Sequence, residues 1–145
     1  GQCDNVVCHR ATFMYGSNFE HDNLNQPTHD MMAEMFGSTN MTVYRQIAKC
    51  VRKNYVVDAD GGNYYLEHLD GLQIPITFIH GAKNQLWLPS STENTYTLLC
   101  DTFGSERYKR IEMPTYAHAD NFFGRDSARD VYPIILENLE RMRGR

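Results

Sequence analysis

The chain has 145 residues, of which 41% are hydrophobic, and a formal net charge of −4. This length suits one domain, and the 14 lysine and arginine residues show no cluster outside the last turn, which argues against a nucleic-acid-binding surface. No stretch approaches the roughly 18 apolar residues of a transmembrane helix, and no signal peptide is recognisable. We therefore predict no nucleic-acid partner and no transmembrane segment. The compartment stays open, with a cytoplasmic location favoured.

The first half of the chain predicts a helical, lid-like segment. Residues 1–26 are polar and predict an extended or irregular arm. Two helices are predicted next, one from about residues 25–27 to Gly37 and one from Met41 to about Lys53. Asparagine and proline favour the first start, and Thr39 or Asn40 would cap the second helix. The two helices are typical of a lid, although they fit equally well as plain core helices.

Residues 55–66 predict a small β-hairpin. Two short runs of β-prone residues, 55–57 and 64–66, flank the turn-forming sequence DADGGN. The loop resembles a calcium-binding loop only superficially, because Leu69 stands where a bidentate glutamate would be needed. We therefore interpret it as a turn.

Residues 74–145 predict a βαβα unit. Its elements are a strand at residues 74–81, a helix ending at Gly104, a strand at Tyr108–Met113 and a helix at about residues 130–143. Ser90 and Glu93 have the spacing of a capping box, which would open the first of these helices. This order implies a right-handed crossover and two adjacent parallel strands. The predicted fold class is therefore α/β, with a lid-like segment at 1–73 and a core at 74–145 in one structural unit.

Three residues at the ends of the predicted strands form the candidate site. Asn84 follows the first strand, and His118 lies in a loop after the second. Because the carboxyl ends of neighbouring parallel strands meet at one edge of a sheet, we expect both residues on one rim. The usual histidine pKa of about 6.5 suits proton transfer, although a solvated or helix-capping loop histidine is also possible. Asp120 is either a helix N-cap for the turn at residues 121–124, which is favoured, or a residue that supports His118 from behind the site.

Asn84 is unusual at this position. A carboxylate here would orient the imidazole of His118 and stabilise its charged form, as the acid of a catalytic triad does. An amide can accept a hydrogen bond from the imidazole, but it supplies no charge. The sequence also lacks the G-x-S-x-G motif of a serine nucleophile, and it has neither G-x-G-x-x-G nor a P-loop.

The cysteine and histidine spacings indicate no metal site. Cys50 and Cys100 lie on predicted helices and are expected to be buried thiols. Cys3 and Cys8 match no zinc pattern, and a redox or disulfide pair is the less favoured alternative. His80 is expected to be structural. The remaining histidines (His9, His21, His29 and His68) are scattered, so we predict no metal and no cofactor in this chain.

Several stretches resemble a known family. IPITFIHGAKNQLWLP, RIEMPTYAHADNFFG and SARDVYPIILENLE resemble the end of an α/β-hydrolase domain, namely the region behind the flavin domain of cholesterol-oxidase-like (GMC) oxidoreductases. HRATFMYGSNFEHDNLNQPTHDMMAEMFG resembles the lid side of that region. The resemblance implies a partial α/β-hydrolase fold, with His118 as the catalytic histidine and Asn84 in the position of the acid. It also implies an FAD domain and a nucleophile upstream, in the remainder of a parent chain.

Two main functional hypotheses follow. The chain is either the C-terminal part of a hydrolase-like domain acting on a lipid or sterol ester, with His118 as general base, or a catalytically silent binding or assembly module. A weaker third hypothesis is a metal-dependent enzyme that uses the scattered histidines. Without a nucleophile, the chain is predicted to be inactive alone. It is also expected to form homo-oligomers, because a partial sheet leaves an open edge and exposed apolar surface.

Overall fold

The structure is a computed structural model that describes residues 3–35, 37–38 and 40–143. The chain divides into two compact units, Gly1–Phe36 with Pro75–Arg145, and Gly37–Ile74. This division differs from the predicted one at 73/74. The physical reason is that the N-terminal segment bonds to the second half of the chain. The carbonyl oxygen of Asn18 accepts hydrogen bonds from the backbone of His118 and Ala119 at 3.1 and 2.9 Å.

The N-terminal arm of the first unit is helical, so the prediction of an irregular arm was wrong. Helix α1 spans Val6–Tyr15 and begins at Asn5, whose side chain accepts a hydrogen bond from the Val7 amide at 2.9 Å. This cap satisfies a backbone group that would otherwise lack a partner and so favours the start of a helix here. Cys8 and Ala11 form the buried side of α1.

A chain of short elements follows α1. They are a 3₁₀ turn at His21–Asn23, helix α2 at Gln26–Asp30 and helix α3 at Met32–Met35. Asn25 caps α2 as predicted, accepting a hydrogen bond from the Thr28 amide at 2.9 Å. The single helix predicted here is therefore two short ones, separated at Met31. Met32 of α3 packs with Cys8 of α1 in a small core that also contains Phe19 and Leu24 from the stretches between these elements.

The second half of this unit contains the predicted parallel strand pair. Strand β1 spans Ile76–Gly81 and strand β2 spans Tyr108–Met113, paired in parallel register from Ile76 opposite Tyr108 to Gly81 opposite Met113. Helix α6, Pro89–Phe103, connects them and buries Leu99. The predicted α/β class is confirmed to the extent that helices accompany a parallel pair of strands. The predicted capping box was wrong, because α6 begins after Leu88 and no side chain caps it.

In the described part of this unit, three helices follow β2. They are α7 at Asp120–Phe123, α8 at Ser127–Asp130 and α9 at Tyr132–Arg143. The helix predicted at 130–143 is thus interrupted at Val131, which is almost fully buried. Pro133 lies in the first turn of α9, where its missing amide hydrogen costs nothing.

The second unit, Gly37–Ile74, is helical in the part that the structure describes. It contains α4 at Met41–Lys53, α5 at Tyr64–Glu67 and a 3₁₀ turn at Leu69–Leu72. Asn40 caps α4 by accepting two backbone hydrogen bonds, whereas Thr39, the other predicted cap, lies outside the described residues. None of the residues of α4 is fully buried.

The predicted β-hairpin was wrong. Oδ1 of Asp58 accepts hydrogen bonds from the amides of Asp60 and Gly62 at 3.0 and 2.8 Å, which closes a compact Asx-type turn. The chain then enters α5 at Tyr64 instead of a return strand. Turn residues of this kind serve hairpins and isolated turns equally, so they do not specify a strand partner.

Candidate functional site

The candidate site lies where the two parallel strands end. Beyond the strands, the amide of Ala82 donates to the carbonyl of Met113 and the amide of Lys83 to the carbonyl of Tyr116, each at 2.9 Å. These bonds hold the two loops side by side. As expected for one rim, Nδ2 of Asn84 lies 3.2 Å from Nδ1 of His118.

The orientation of Asn84 is fixed by its surroundings. Its side chain is buried with the residue 4% exposed, and its Oδ1 accepts hydrogen bonds from the amides of Leu86 and Trp87, both at 3.0 Å. The Nδ2 group therefore faces His118 and donates to Nδ1. This reverses the direction considered from the sequence, in which the imidazole would donate to the amide. The neutral imidazole consequently carries its proton on Nε2.

His118 is held in its neutral form. Burial is the largest effect that lowers its pKa below the usual histidine value, and nearby His80 lowers it further, while the charge of Asp120 acts in the opposite direction. At neutral pH the ring therefore has one donor, Nε2–H, directed away from Asn84. His80 itself is structural, as predicted, because its Nε2 lies 2.9 Å from the carbonyl oxygen of Trp87 in the loop that holds Asn84.

The favoured role of Asp120, a helix N-cap, was wrong, whereas its charge does act on His118. It is the first residue of α7, whose N-cap is Ala119, so it is not the cap itself. Its carboxylate is fully buried and accepts hydrogen bonds from the Ala117 amide at 2.9 Å and from Asn23 Nδ2 at 2.6 Å. A longer contact of 3.4 Å comes from the amide of Glu20. Asp120 thus joins the loop of His118 to the N-terminal segment.

An apolar cavity of about 440 Å³ opens beside His118. Its walls come from the N-terminal segment and from the region of α7, including Phe19, Leu24, Met32, Phe122 and Phe123. Asn18 and His118 are the polar residues among its lining. None of the hydrogen bonds described at His118 involves a hydroxyl or a thiol. The site therefore combines an apolar cavity with a neutral imidazole at its edge.

A second group of reactive side chains, Cys3, Cys8, His21 and His29, assembles in the N-terminal segment. We call it the cysteine–histidine cluster. One ligand atom from each residue lies within 4.8 Å of all the others. The Sγ atoms of Cys3 and Cys8 lie 3.2 Å from Nε2 of His21 and of His29, respectively, and Cys3 Sγ is also 3.3 Å from His29 Nε2.

The sequence reasoning missed this cluster, although a signal was present. Both cysteines precede both histidines in the order C-x₄-C-x₁₂-H-x₇-H, which departs from the usual spacing of Cys₂His₂ sites only between the histidines. By contrast, Cys50 and Cys100, predicted to be buried thiols, are half-buried free cysteines.

Cys8 is the buried member of the cluster, whereas Cys3, His21 and His29 are half-buried. Burial raises the pKa of the Cys8 thiol to about 11, and burial also lowers the pKa of His21 below its usual value. For Cys3, burial alone would raise the pKa, but hydrogen bonds from the Asn5 backbone and His29 outweigh it and lower the pKa. Nδ1 of His29 is buried without a hydrogen-bond partner, since Asp30 Oδ1 is 3.8 Å away.

Comparison with known proteins does not assign a family. No protein-family model, no curated protein and no solved structure matches this chain. Within the residues that the structure describes, no helix is long and apolar enough to cross a membrane. The function is therefore inferred from the geometry of the site.

Proposed function

We propose that the chain is the C-terminal part of an α/β-hydrolase-like domain in a larger lipid- or sterol-related enzyme, to which it supplies His118. The observation that supports this most directly is the contact of Asn84 with His118 across the ends of two adjacent parallel strands. In α/β-hydrolases the triad acid precedes the histidine in the chain, and a nucleophile comes earlier still. The nucleophile and a flavin domain with FAD would then belong to the remainder of the parent chain.

The cavity beside His118 supports an apolar substrate. Its volume of about 440 Å³ falls in the range of small-molecule sites, and phenylalanine, leucine and methionine side chains dominate its walls. A fatty acyl or sterol ester carries a large apolar group and a single polar ester group. Such a ligand could fill the cavity while its ester oxygen meets the imidazole at the edge.

The role of His118 as a general base depends on Asn84. A base must accept a proton at Nε2, and its Nδ1–H must then donate to a partner that stabilises the imidazolium. Asn84 presents a donor to Nδ1, and turning its amide would break the bonds to Leu86 and Trp87. In a serine protease, replacing the triad acid by an amide lowers kcat by about 10⁴-fold, because the histidine then carries its proton on Nε2, as it does here. Hydrolysis is therefore expected to be slow unless another acid serves.

A catalytically silent binding module is the second candidate, and the orientation of Asn84 favours it. With Nδ1 occupied, the Nε2–H group of His118 is suited to donate a hydrogen bond to a ligand oxygen. A site of this kind holds a lipid or sterol by its polar end and does no chemistry.

Ester hydrolysis by the parent chain separates the two candidates. If His118 is the base, His118→Ala should abolish hydrolysis, Asn84→Asp should increase it, and a fluorophosphonate probe should label an upstream serine. His68→Ala is the matched control, because His68 is exposed and lies in the second unit. Equal activity above background in the wild type and His118→Ala would refute the catalytic role. Clear turnover of a small ester by the 145-residue chain would refute its predicted inactivity alone.

Binding of a fluorescent sterol or fatty-acid ester to this chain tests the cavity itself. Phe122→Ala and Phe123→Ala should each weaken binding by about tenfold, which corresponds to about 1.4 kcal/mol of lost apolar contact. Tyr65→Ala removes a comparably exposed aromatic ring from the second unit and should leave binding unchanged. Unchanged affinity in both cavity variants would contradict the proposed site.

Self-association is a further part of this proposal. The sheet in the described residues has two strands, β1 and β2, so each strand has one edge without a partner strand. Unpaired edges and exposed apolar side chains favour pairing with a second copy. Sedimentation at high concentration should show dimers or larger species, and a clean monomer would contradict this expectation.

A further inference from the structure

We propose that the cysteine–histidine cluster of Cys3, Cys8, His21 and His29 is a structural zinc site. The proposal rests on the arrangement and chemistry of these side chains and is independent of the function proposed for His118. Zinc in proteins is bound by thiolate sulfur at about 2.3 Å and imidazole nitrogen at about 2.0–2.1 Å in a tetrahedron, which separates neighbouring ligand atoms by about 3.3–3.8 Å. The sulfur–nitrogen distances of 3.2–3.3 Å in the cluster are already close to that range.

The longest separation between ligand atoms needs only a small adjustment. All four atoms lie within 4.8 Å of one another, so the widest pair must approach by at most about 1.5 Å to form a regular tetrahedron. The ligands come from four short pieces of chain: the stretch before α1, which carries Cys3, α1 itself, the 3₁₀ turn and α2. Since the two histidines lie on different elements, their wide spacing in sequence does not hinder them from meeting at one ion.

The chemistry of the ligand set identifies the metal class. Two soft thiolates and two imidazoles in a tetrahedron are typical of zinc. Because the protein supplies all four ligands, no position remains for water or substrate, which is the mark of a structural site. Binding releases the two thiol protons to solvent, and both histidines bind in their neutral form.

Two independent features of the surroundings fit a metal. Cys8 is only 2% exposed and packs with Phe19, Leu24 and Met32, so its polar thiol lies in an apolar core. Nδ1 of His29 is buried without a hydrogen bond, and the carboxylate of Asp30 is 3.8 Å from it. A histidine that binds a metal through Nε2 usually donates its Nδ1–H to such a carboxylate. A small closure of the site would complete that bond.

The zinc site would stabilise one wall of the His118 cavity. Asn18, in the same segment, accepts hydrogen bonds from the backbone of His118 and Ala119. Asn23, at the end of the 3₁₀ turn that carries His21, donates to the buried carboxylate of Asp120. We therefore expect removal of the metal to loosen the segment around residues 18–32 and, through it, the loop of His118.

The direct test is spectroscopy on the wild-type chain, prepared with a tag free of histidine, in reductant and with added zinc. We expect about one zinc per chain, with X-ray absorption showing two sulfur ligands at about 2.3 Å and two nitrogen ligands at about 2.0–2.1 Å. Cobalt substitution should give the visible bands of a tetrahedral ion with thiolate charge transfer. A metal-free chain, a first shell without sulfur, or a Cys3–Cys8 disulfide under these conditions would overturn the proposal.

Variants locate the site. Cys3→Ser and His21→Ala change half-buried ligands and should each lower zinc affinity by at least about tenfold, since even residues behind the ligands contribute that much. Cys50→Ser and His68→Ala change the same residue types outside the cluster and should keep wild-type zinc content. Zinc retained in both cluster variants would overturn the assignment, and the spectroscopy remains decisive should a variant not fold.

Hydrogen exchange tests the structural role. Chelation should increase exchange in residues 18–32 and 117–123, while α4 in the second unit serves as the internal reference. Unchanged exchange in both segments after zinc removal would overturn the role in supporting the cavity, even where the spectroscopy shows the ion bound.

Discussion

The strand-end rim of Asn84 and His118 and the cysteine–histidine cluster lie in the same compact unit, but they arise in different ways. The rim follows from regular structure, because two parallel strands in register bring the residues after them to one edge. The cluster joins residues up to 26 positions apart, Cys3 and His29, through short helices and turns. The register of a sheet determines where the loops at its edge lie. In a segment of short helices and turns, by contrast, the positions of distant side chains depend on how the whole segment packs.

Gly81→Ala should break the rim with the largest effect. A Cβ atom at this position would overlap the carbonyl oxygens of Tyr116 and Ala117, which are backbone atoms of the loop before His118. Because the backbone cannot move aside as a flexible side chain can, we expect a loss of about 3 kcal/mol or more in the free energy of unfolding. Denaturant unfolding with two-state analysis measures this loss.

Gly71→Ala is the matched control for that substitution. Gly71 has no positive φ, and a Cβ atom there would meet nothing within 4 Å. Its unfolding free energy should stay within about 0.5 kcal/mol of the wild type. Equal stability of the two variants would show that the close approach of β1 to the His118 loop is absent in solution.

Asp120→Ala should have the next largest effect, because it breaks the link between the rim and the N-terminal segment. The substitution leaves the buried amide of Ala117 without its acceptor and removes one of the two acceptors of Asn23 Nδ2, which still donates to the carbonyl oxygen of Thr115. We expect a loss of about 2–3 kcal/mol in the free energy of unfolding. Asp126→Ala removes surface ion pairs instead and should cost less than about 1 kcal/mol. Comparable losses would contradict the buried role of Asp120.

The α/β part of the fold was accessible from sequence because its signals are local. The apolar run of β1, the glycine after α6 and the β-prone run of β2 each specify an element, and strand–helix–strand order then implies a parallel pair. Helix α1 and the absent hairpin show where local sequence signals are not sufficient to predict the element. Asn5 and Asp58 make the same kind of bond between an Asx side chain and the backbone, yet one starts a helix and the other closes a turn. Only packing distinguishes the two outcomes.

The site was predictable in position but not in detail. Sequence order placed Asn84 and His118 on one rim, but the direction of their hydrogen bond depends on the backbone amides of Leu86 and Trp87. These contacts have no signature in the residue types. The role of Asp120 depended likewise on Asn23, 97 residues earlier in the chain.

Asn84→Asp should reverse the hydrogen bond at His118 and raise its pKa. One carboxylate oxygen can still accept from the loop amides, and the other would accept from Nδ1–H of the imidazole. The added negative charge favours the imidazolium, so we expect the pKa of His118 to rise by about one unit. Nitrogen-15 NMR of the imidazole should show the proton on Nε2 in the wild type and on Nδ1 in the neutral variant. The same tautomer in both would refute the orientation of Asn84.

The same substitution should change how stability depends on pH. In the wild type, burial and His80 lower the pKa of His118 in the folded state, so the unfolded chain binds its proton first. This contribution to stability is present above the unfolded value of about 6.5 and is lost as the pH falls through and below it. In Asn84→Asp, the stability lost on acidification should become smaller or disappear. Denaturant midpoints between neutral and mildly acidic pH, measured on both proteins, give the comparison.

Ser90→Ala should have the smallest effect, and it separates the sequence prediction from the structure. A capping box would make Ser90 an N-cap, and its removal would cost about 1 kcal/mol. In the structure α6 instead begins at Pro89 without a side-chain cap, so the loss should stay within about 0.5 kcal/mol. Asn40→Ala provides the contrast, because Asn40 accepts hydrogen bonds from two backbone amides at the start of α4. This substitution should lower the free energy of unfolding of the second unit by about 1 kcal/mol. If Ser90→Ala is the more costly of the two, α6 starts in solution after Ser90, as the sequence pattern indicated, and the loop from Asn84 to α6 is two residues longer than in the structure.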